Sequence, residues 1–349
     1  MRITRKDIAK AAGVSASTVA MILSGSGGRY SAATRRLVME TAEALGYQKS
    51  IVAKALQLRR SLLIGVLFSE VNAAHAPGFL RGVQSAIAGT DYSPLIFFTN
   101  SEAEQTACFD HCVERRVDAL LVNCTIDAGN SHLEAFAERV RGLKVPVLEI
   151  FGSFLSGAPQ ADIDNASAGA TGVAHLVELG HRDIALITHS RYTNPVLHHD
   201  ACDQAEGYQM AMIAAGLKPV IVTMDFDYEH LSFEGFVKAG VESLAQLVAL
   251  TPMPTAAICY SDLMAYGLNR ACRARGMKVP EEFSILGNGD LLLSAVVNPP
   301  LSTMRLDSFQ LGLEGARRLL VSIDSAPLES VKVKPELLLR QSTGPAPTR

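Results

Sequence analysis

The first 46 residues carry apolar positions at helical spacing in three short blocks, each preceded by a residue able to cap a helix. Thr4 stands three residues before Asp7, a capping-box arrangement, and Ile8, Ala11 and Ala12 supply an apolar stripe up to Gly13, which can end a helix. This predicts a first helix over about residues 5–12. Ser15 can cap a second helix in which Thr18, Val19, Ile22 and Leu23 face inward. Only a turn around Gly13 and Val14 separates the two, which is helix-turn-helix spacing. Ser31 can cap a third helix, with Leu37, Val38, Thr41, Ala42 and Leu45 turned toward the first two and Gly46 at its end. The intervening "SGSGGR" lacks the strand and the Gly-Lys-Ser/Thr ending of a phosphate-binding loop and reads as a connector.

Beyond Arg60 the pattern becomes one of short apolar runs between helical stretches. "SLLIGVLF", "SPLIFFTN", "VDALLVNC" and "VPVLEIF" are strand-like, with helical segments near 79–89, 103–116 and 131–141. "DIALITH", "VIVTMD", "AAICYS" and "FSILGN" form a second series. Apolar strands alternating with helices imply parallel sheets covered on both faces, so the fold class is α/β with two lobes. Ligands of such sheets bind beyond the carboxyl ends of the strands, which makes the space between the lobes the expected small-molecule site.

Composition supports this organisation. With 349 residues, 48% hydrophobic and 19% charged, the chain can bury large cores in two or three domains. No apolar run approaches the roughly 20 residues of a membrane span, and "MRITRKDIAK" has no apolar stretch behind its basic residues, so a cytoplasmic protein is expected. Cysteines at 108, 112, 124, 202, 259 and 272 are scattered through a long chain and read as reduced thiols.

The net charge of −3 conceals an asymmetry: residues 1–60 hold eleven Lys or Arg against Asp7, Glu40 and Glu43, leaving the body strongly acidic. A basic head on an acidic body suggests binding of a polyanion.

The stretch "TRKDIAKAAGVSASTVAMILSG…YSAATRRLVMETAEALGYQKSIVAKALQLRRSLLIGVL" resembles the start of a LacI/GalR-family transcriptional regulator, and the similarity continues to about residue 325. The resemblance implies an N-terminal helix-turn-helix DNA-binding domain (1–48), a hinge helix and linker (49–60), and a type I periplasmic-binding-protein-like effector and dimerisation domain (61–341). It further implies a first lobe of about 61–161 and 292–325, a second of about 162–291 and 331–341, and leaves 342–349 as a tail expected to be disordered. A homodimer on a palindromic double-stranded operator is the implied partner arrangement.

On that resemblance the DNA-facing candidates are Thr4, Arg5, Lys6 and the second-helix residues Ser15, Ala16, Ser17, Thr18 and Met21. Arg29, Tyr30, Ser31 and Arg35 join them from the third helix and its approach, and Ala53, Lys54 and Leu56 from the hinge. Relatives often carry longer polar side chains where Ala16, Ser17 and Met21 stand. Phosphate contacts from Arg5, Lys6, Arg29 and Arg35 and a minor-groove wedge at Leu56 are therefore expected to carry an unusual share of binding. Lys49 and Ser50 stand where many members have Pro-Asn, so hinge ordering is expected to differ.

The pocket departs from the family as well. Phe151 replaces a common Asp, Gln204 a common Arg, and Gly289 the first Asp of a "GFDD"-like segment. Charged capture of a sugar or carboxylate is weakened thereby. The remaining effector-site candidates are Asn72, His75, Phe79, Arg191, Tyr192, His198, Tyr260, Asp262 and Asn288, beside Phe151 and Gln204. A carbohydrate-like or other small polar metabolite is expected, stacked on Phe79 or Phe151 and bonded by Asp262 and Asn288.

"HHDACD" and "CFDHC" have ligand chemistry without the paired spacing of a structural zinc site, so no metal or cofactor is expected. Neither a Gly-x-Ser-x-Gly elbow nor a His-Glu-x-x-His nor a strand-linked Gly-x-Gly-x-x-Gly is present, so the chain does not read as an enzyme. The competing reading is a small-molecule-binding protein or enzyme of the same two-lobed fold without specific DNA binding.

Overall fold

A computed structural model describes residues 3–25, 27–48, 50–69, 74–123, 130–152, 154–155, 157–190, 195–225, 233–324 and 326–348, with the side chains of 27, 130–132 and 195–198 also outside the description. Two compact units result, residues 1–59 and 60–349.

The first unit contains α1 (Arg5–Ala12), α2 (Ala16–Leu23), α3 (Ala32–Ala44) and α4 (Ile51–Leu58). The Asp7 carboxylate reaches back to accept from the Thr4 N–H (2.8 Å) and hydroxyl (2.7 Å), and Gly13 ends α1 at φ 64°. Ser15 and Ser31 accept from the N–H groups of Thr18 (3.0 Å) and Thr34 (3.1 Å), fixing the starts of α2 and α3. Ile8, Val19, Ile22, Leu23, Val38 and Ala42 form one small core. Leu37 and Leu45, expected inside, are 47% and 36% exposed, and Thr18 is only half-buried. Three short helices enclose too little volume for a second layer of leucines.

The second unit holds two six-stranded sheets. β1 (Leu63–Ser69), β2 (Ser93–Thr99), β3 (Ala119–Val122), β4 (Val147–Ile150), β5 (Gln160–Ile163) and β11 (Val331–Val333) form the first, in the order β11-β5-β4-β3-β1-β2 and all parallel. β6 (Ile184–His189), β7 (Val220–Met224), β8 (Ala256–Cys259), β9 (Ser284–Gly289), β10 (Ser302–Arg305) and β12 (Glu336–Leu338) form the second, in the order β12-β10-β9-β8-β6-β7 with only β12 antiparallel. Helices α5 (Ala76–Ile87), α6 (Glu102–Glu114), α7 (Asn130–Arg141) and α12 (Ser308–Ile323) accompany the first sheet. α8 (Asn165–Glu178), α9 (Pro195–Ala214), α10 (Phe233–Ala249) and α11 (Asp262–Ala274) accompany the second. Among the described residues no helix is long and apolar enough to cross a membrane.

The chain crosses between lobes three times, first after β5, close to the boundary the resemblance implied, and then at two places that differ from it. β10 stays in the second sheet, so the return crossing follows Arg305 instead of preceding residue 292. The segment near 331–341 is split, β11 pairing with β5 of the first lobe and β12 with β10 of the second. Close packing of α12 on α5 anchors the return: a Cβ on Gly82 would collide with the Phe309 carbonyl, so only glycine permits that approach.

The tail expected to be disordered is docked on the second lobe. Ile285 N–H donates to Ser342 O (2.8 Å), Gly344 N–H to Ser284 Oγ (3.0 Å) and Ala346 N–H to Leu179 O (2.8 Å). Buried His181 donates from Nε2 to Gly344 O (3.0 Å) and lies 2.8 Å at Nδ1 from the Thr255 hydroxyl; burial lowers its pKa against the Gly344 bond, which favours the charged ring. Composition alone marks the tail as mobile because its partners lie far away in sequence.

Candidate DNA-facing surface and effector cleft

On the first unit, Thr4, Arg5, Lys6, Ala16, Ser17, Arg29, Ser31 and Arg35 are exposed. Ser15 Oγ lies 2.8 Å from the hydroxyls of both Ser17 and Thr18, so this cluster is partly satisfied within the protein. Arg5 Nε donates to the Tyr47 hydroxyl (3.4 Å). Met21 is half-buried, and the Arg29 guanidinium donates to its sulfur (2.7 Å) and to the Tyr30 hydroxyl (3.1 Å) while lying 5.2 Å above the Tyr30 ring. A cation from outside α2 thus covers the position where α2 itself has only a thioether.

Ser50 answers the question raised by the missing Pro-Asn: its hydroxyl accepts from Ala53 N–H (3.4 Å) and caps α4, while Lys49 lies outside the described residues. No residue of α4 is buried, and Ala53, Lys54 and Leu56 are all exposed, Leu56 by 76%.

In the second unit, aromatic side chains gather at the carboxyl ends of the strands in both lobes. On the first lobe the Phe151 ring packs on Phe68 (5.8 Å) and Phe79 (5.9 Å) and stacks with His75 (6.0 Å). Phe151 adopts φ 48°, a strained value for a bulky residue. Asn123 holds it there, donating from Nδ2 to both Ile150 O and Phe151 O (2.9 Å each) and accepting at Oδ1 from Ser69 N–H (3.2 Å). On the second lobe Tyr260 lies edge-on to His189 (5.1 Å), stacks near Phe236 (6.3 Å), and donates its hydroxyl to Asp200 Oδ2 (2.6 Å).

Several expected ligand contacts have structural duties instead. Phe79 is fully buried in the first-lobe core. Asp262, fully buried, accepts from Thr303 Oγ1 (2.5 Å), Ser294 Oγ (2.6 Å) and Leu291 N–H (2.7 Å), bonds made within the lobe instead of the cleft contact expected of it. Asn288 donates to Tyr260 O (3.1 Å), leaving only its Oδ1 unpaired. Gln204 is 1% exposed with both amide atoms unpaired. Asn72, Arg191 and Tyr192, and the side chain of His198, lie outside the described residues.

"CFDHC" divides: Cys112 enters the core, and His111 pairs with Glu114 (3.4 Å) and stacks on Phe97. Among the described residues no group of three or more His, Cys, Asp or Glu is placed to hold a metal ion.

Sequence reasoning missed the link between the lobes. His199 of α9 meets Asp162 of β5 at 2.7 Å, with side chains 13% and 10% exposed. Burial opposes the charged imidazole, but the Asp162 bond and the charges of Asp162, Asp200 and Asp203 outweigh it and push His199 up to about 9. Burial also pushes Glu149 up to about 7, against bonds from the Phe154 and Leu155 N–H groups (2.6 and 3.2 Å). Asp200 is held below the usual carboxylate range, since the His199 charge and the Tyr260 bond overcome its burial.

The signs agree. A raised His199 stabilises fully below its ordinary 6.5 and loses that contribution as pH rises through about 9. A raised Glu149 adds a penalty that grows from its ordinary 4.5 through about 7. The melting temperature is therefore expected to fall between pH 6.5 and 9, by on the order of 2–3 kcal/mol of stability from the His199 pair. His199→Gln should flatten that part of a calorimetric pH series; an unchanged slope would show the pair contributes nothing.

Comparison with known proteins follows the same division. Residues 4–50 match the family model for bacterial regulatory proteins of the lacI family, and residues 173–343 that of the periplasmic binding protein-like domain. The HTH-type transcriptional repressor PurR of Actinobacillus pleuropneumoniae serotype 3 is 30% identical over 346 residues, covering 97% of this chain and 98% of that protein. The ribose operon repressor of Haemophilus influenzae matches with the same identity and coverage. Among solved structures, the lac repressor dimer bound to operator and the anti-inducer ONPF superposes with a TM-score of 0.77 at 25% identity, over 99% of this chain and 100% of that one. The CelR–cellobiose complex gives 0.66 at 25% identity, over 98% and 100%. With helix-turn-helix head, two-lobed body and near-complete coverage all in agreement, this chain belongs to the LacI family of bacterial regulatory proteins.

Proposed function

We propose that this protein is a DNA-binding transcriptional repressor, acting as a homodimer on a palindromic operator, whose affinity for that operator is set by a small polar molecule between its lobes. The observation that carries the reading is the basic three-helix head followed by a capped α4 with no buried residue. An eight-residue helix is marginal by itself in water, so α4 calls for an external surface to cover its apolar side. The lac repressor structure named above is a dimer on operator, which supports the same arrangement here.

In this reading Arg5, Lys6, Arg29 and Arg35 hold phosphates while α2 lies in the major groove and Leu56 wedges the minor groove. The cleft supplies stacking surfaces and neutral hydrogen-bonding groups, which suits binding and release of a ligand more than bond-breaking chemistry. A molecule that favours one lobe arrangement shifts the population competent for operator. The ribose operon repressor carries ribose in its name, and CelR is bound to cellobiose, so a carbohydrate-like or similar polar metabolite suits the cleft.

Footprinting on the DNA upstream of the chain's own gene tests the proposal. One palindrome should be protected, with affinity falling roughly 1,000- to 100,000-fold between 50 and 200 mM salt. Equal affinity for every duplex would instead support the two-lobed binding protein without specific DNA recognition.

A further inference from the structure

Four charged side chains meet where the lobes join, and they form two matched sets. Asp162 of β5 and Lys332 of β11 are register partners in adjacent parallel strands of the first sheet, so their side chains stand on the same face. His199 and Asp203 lie four residues apart on α9 and share one side of that helix. Further along, Ala205, Tyr208 and Met212 fix α9 in the core of the second lobe. Its first turns reach over to the first lobe, where His199 Nε2 meets Asp162 Oδ2 at 2.7 Å and Asp203 Oδ2 lies 3.8 Å from Lys332 Nζ.

Both strands lead directly into crossings. β5 ends one residue before Asp164, the cap of α8 in the second lobe, and β11 runs through Lys334 and Pro335 into β12 of the second sheet. A change in the angle between the lobes turns about these connections and that after β10, and so slides the start of α9 past β5 and β11.

The same four charges have a second neutral arrangement. Across the lobes they pair as His199 with Asp162 and Asp203 with Lys332. Within the lobes the spacing allows His199 to pair with Asp203 at i, i+4, and Asp162 with Lys332 across neighbouring strands. Neither arrangement leaves one of the four without an opposite charge, which is what a two-state element needs and a rigid strut does not.

The surroundings of His199 are acidic. Asp162 of β5, Glu149 of β4, and Asp200 and Asp203 of its own helix all bear on it. Asp164 shares Lys332 with Asp203, at 3.9 Å, Lys334 acts on Asp164, and Glu206 on Asp203. Asp200 is tied to the Tyr260 hydroxyl and bears on His189 and His75. These carboxylates keep His199 charged until pH rises through about 9.

We propose that His199–Asp162 and Asp203–Lys332 form a charge clasp that selects one lobe arrangement, its exchange for the within-lobe pairing accompanying the change that sets operator affinity. His199 acts in it as a positioning residue. The operator part of the inference rests on the repressor reading above; the clasp itself does not.

Gel-shift titrations of the full chain at fixed salt and near-neutral pH test it. His199→Gln and Asp162→Asn should each move operator affinity roughly fivefold or more in one common direction, and the double variant no further than either single. Asp203→Asn should move it the opposite way, because it removes the alternative partner of His199 and leaves the 2.7 Å pair in place. Wild type and His199→Gln should then converge as pH rises through about 9, since the other titrating groups are common to both. Additive singles, shifts below about twofold, or all three variants moving together would overturn the proposal.

Hydrogen exchange over residues 160–168 and 330–338 needs no DNA and separates the two readings. His199→Gln should speed exchange there severalfold, and so should Asp162→Asn if the first variant fails to fold; unchanged exchange would overturn the clasp. If wild type protects no specific operator, the repressor reading falls and the exchange result decides the clasp by itself.

Discussion

Asp262→Ala is expected to lower the unfolding free energy by about 3–5 kcal/mol, measured by urea denaturation of the full chain. The carboxylate is the shared acceptor for Leu291 N–H, Ser294 Oγ and Thr303 Oγ1, and Ser294 Oγ also meets the Tyr266 hydroxyl at 2.7 Å. Removing it strands three donors from two segments, the turn of residues 291–295 and β10, with Ser294 and Thr303 fully buried. Asp262→Asn should cost less, since it keeps one oxygen but turns an NH2 group toward a donor. A ligand contact would behave differently: stability would be kept and only effector binding lost. Retained stability in Asp262→Ala would therefore return this residue to the cleft.

Leu56→Ala should weaken operator binding by about 2–3 kcal/mol, roughly 30- to 150-fold, in a gel-shift titration at fixed salt. The helix carrying Leu56 has nothing of its own to bury: Ile51, Val52 and Leu56 are 44%, 61% and 76% exposed. Within this reading their burial, and with it the order of α4, comes from the complex. Met21→Ala should cost less than tenfold, because Met21 is half-covered by Arg29 and leaves that guanidinium in place to reach the groove. The opposite ranking would show that the second helix, not the hinge, dominates recognition.

Most of the fold is legible because its cues are local. Thr4, Ser15 and Ser31 cap helices within three residues of themselves, and apolar runs such as "LITH" and "AAIC" are dense enough to announce buried strands. β5 and β10 escape notice because four residues with mixed polarity give no periodicity to read. Leu37 and Leu45 mislead because helical spacing identifies a face, whereas burial depends on how much neighbouring volume exists to cover it. The site is less legible than the fold. Gln204 and Phe151 stand out in sequence only against relatives, and Asn123 and His199 carry no signal beyond a polar residue at or near the end of an element.

The sequence by itself determined the three capped helices, the basic head, the two series of α/β units and the family, since each rests on interactions spanning a few residues or on a long collinear match. Tertiary structure alone decided which lobe owns β10 and β11, that the tail is docked through His181, that Asp262 braces a crossing, and that His199 joins the lobes. The last three outcomes depend on partners 37 to 163 residues apart, and in each the deciding quantity was whether a buried polar group found its complement there.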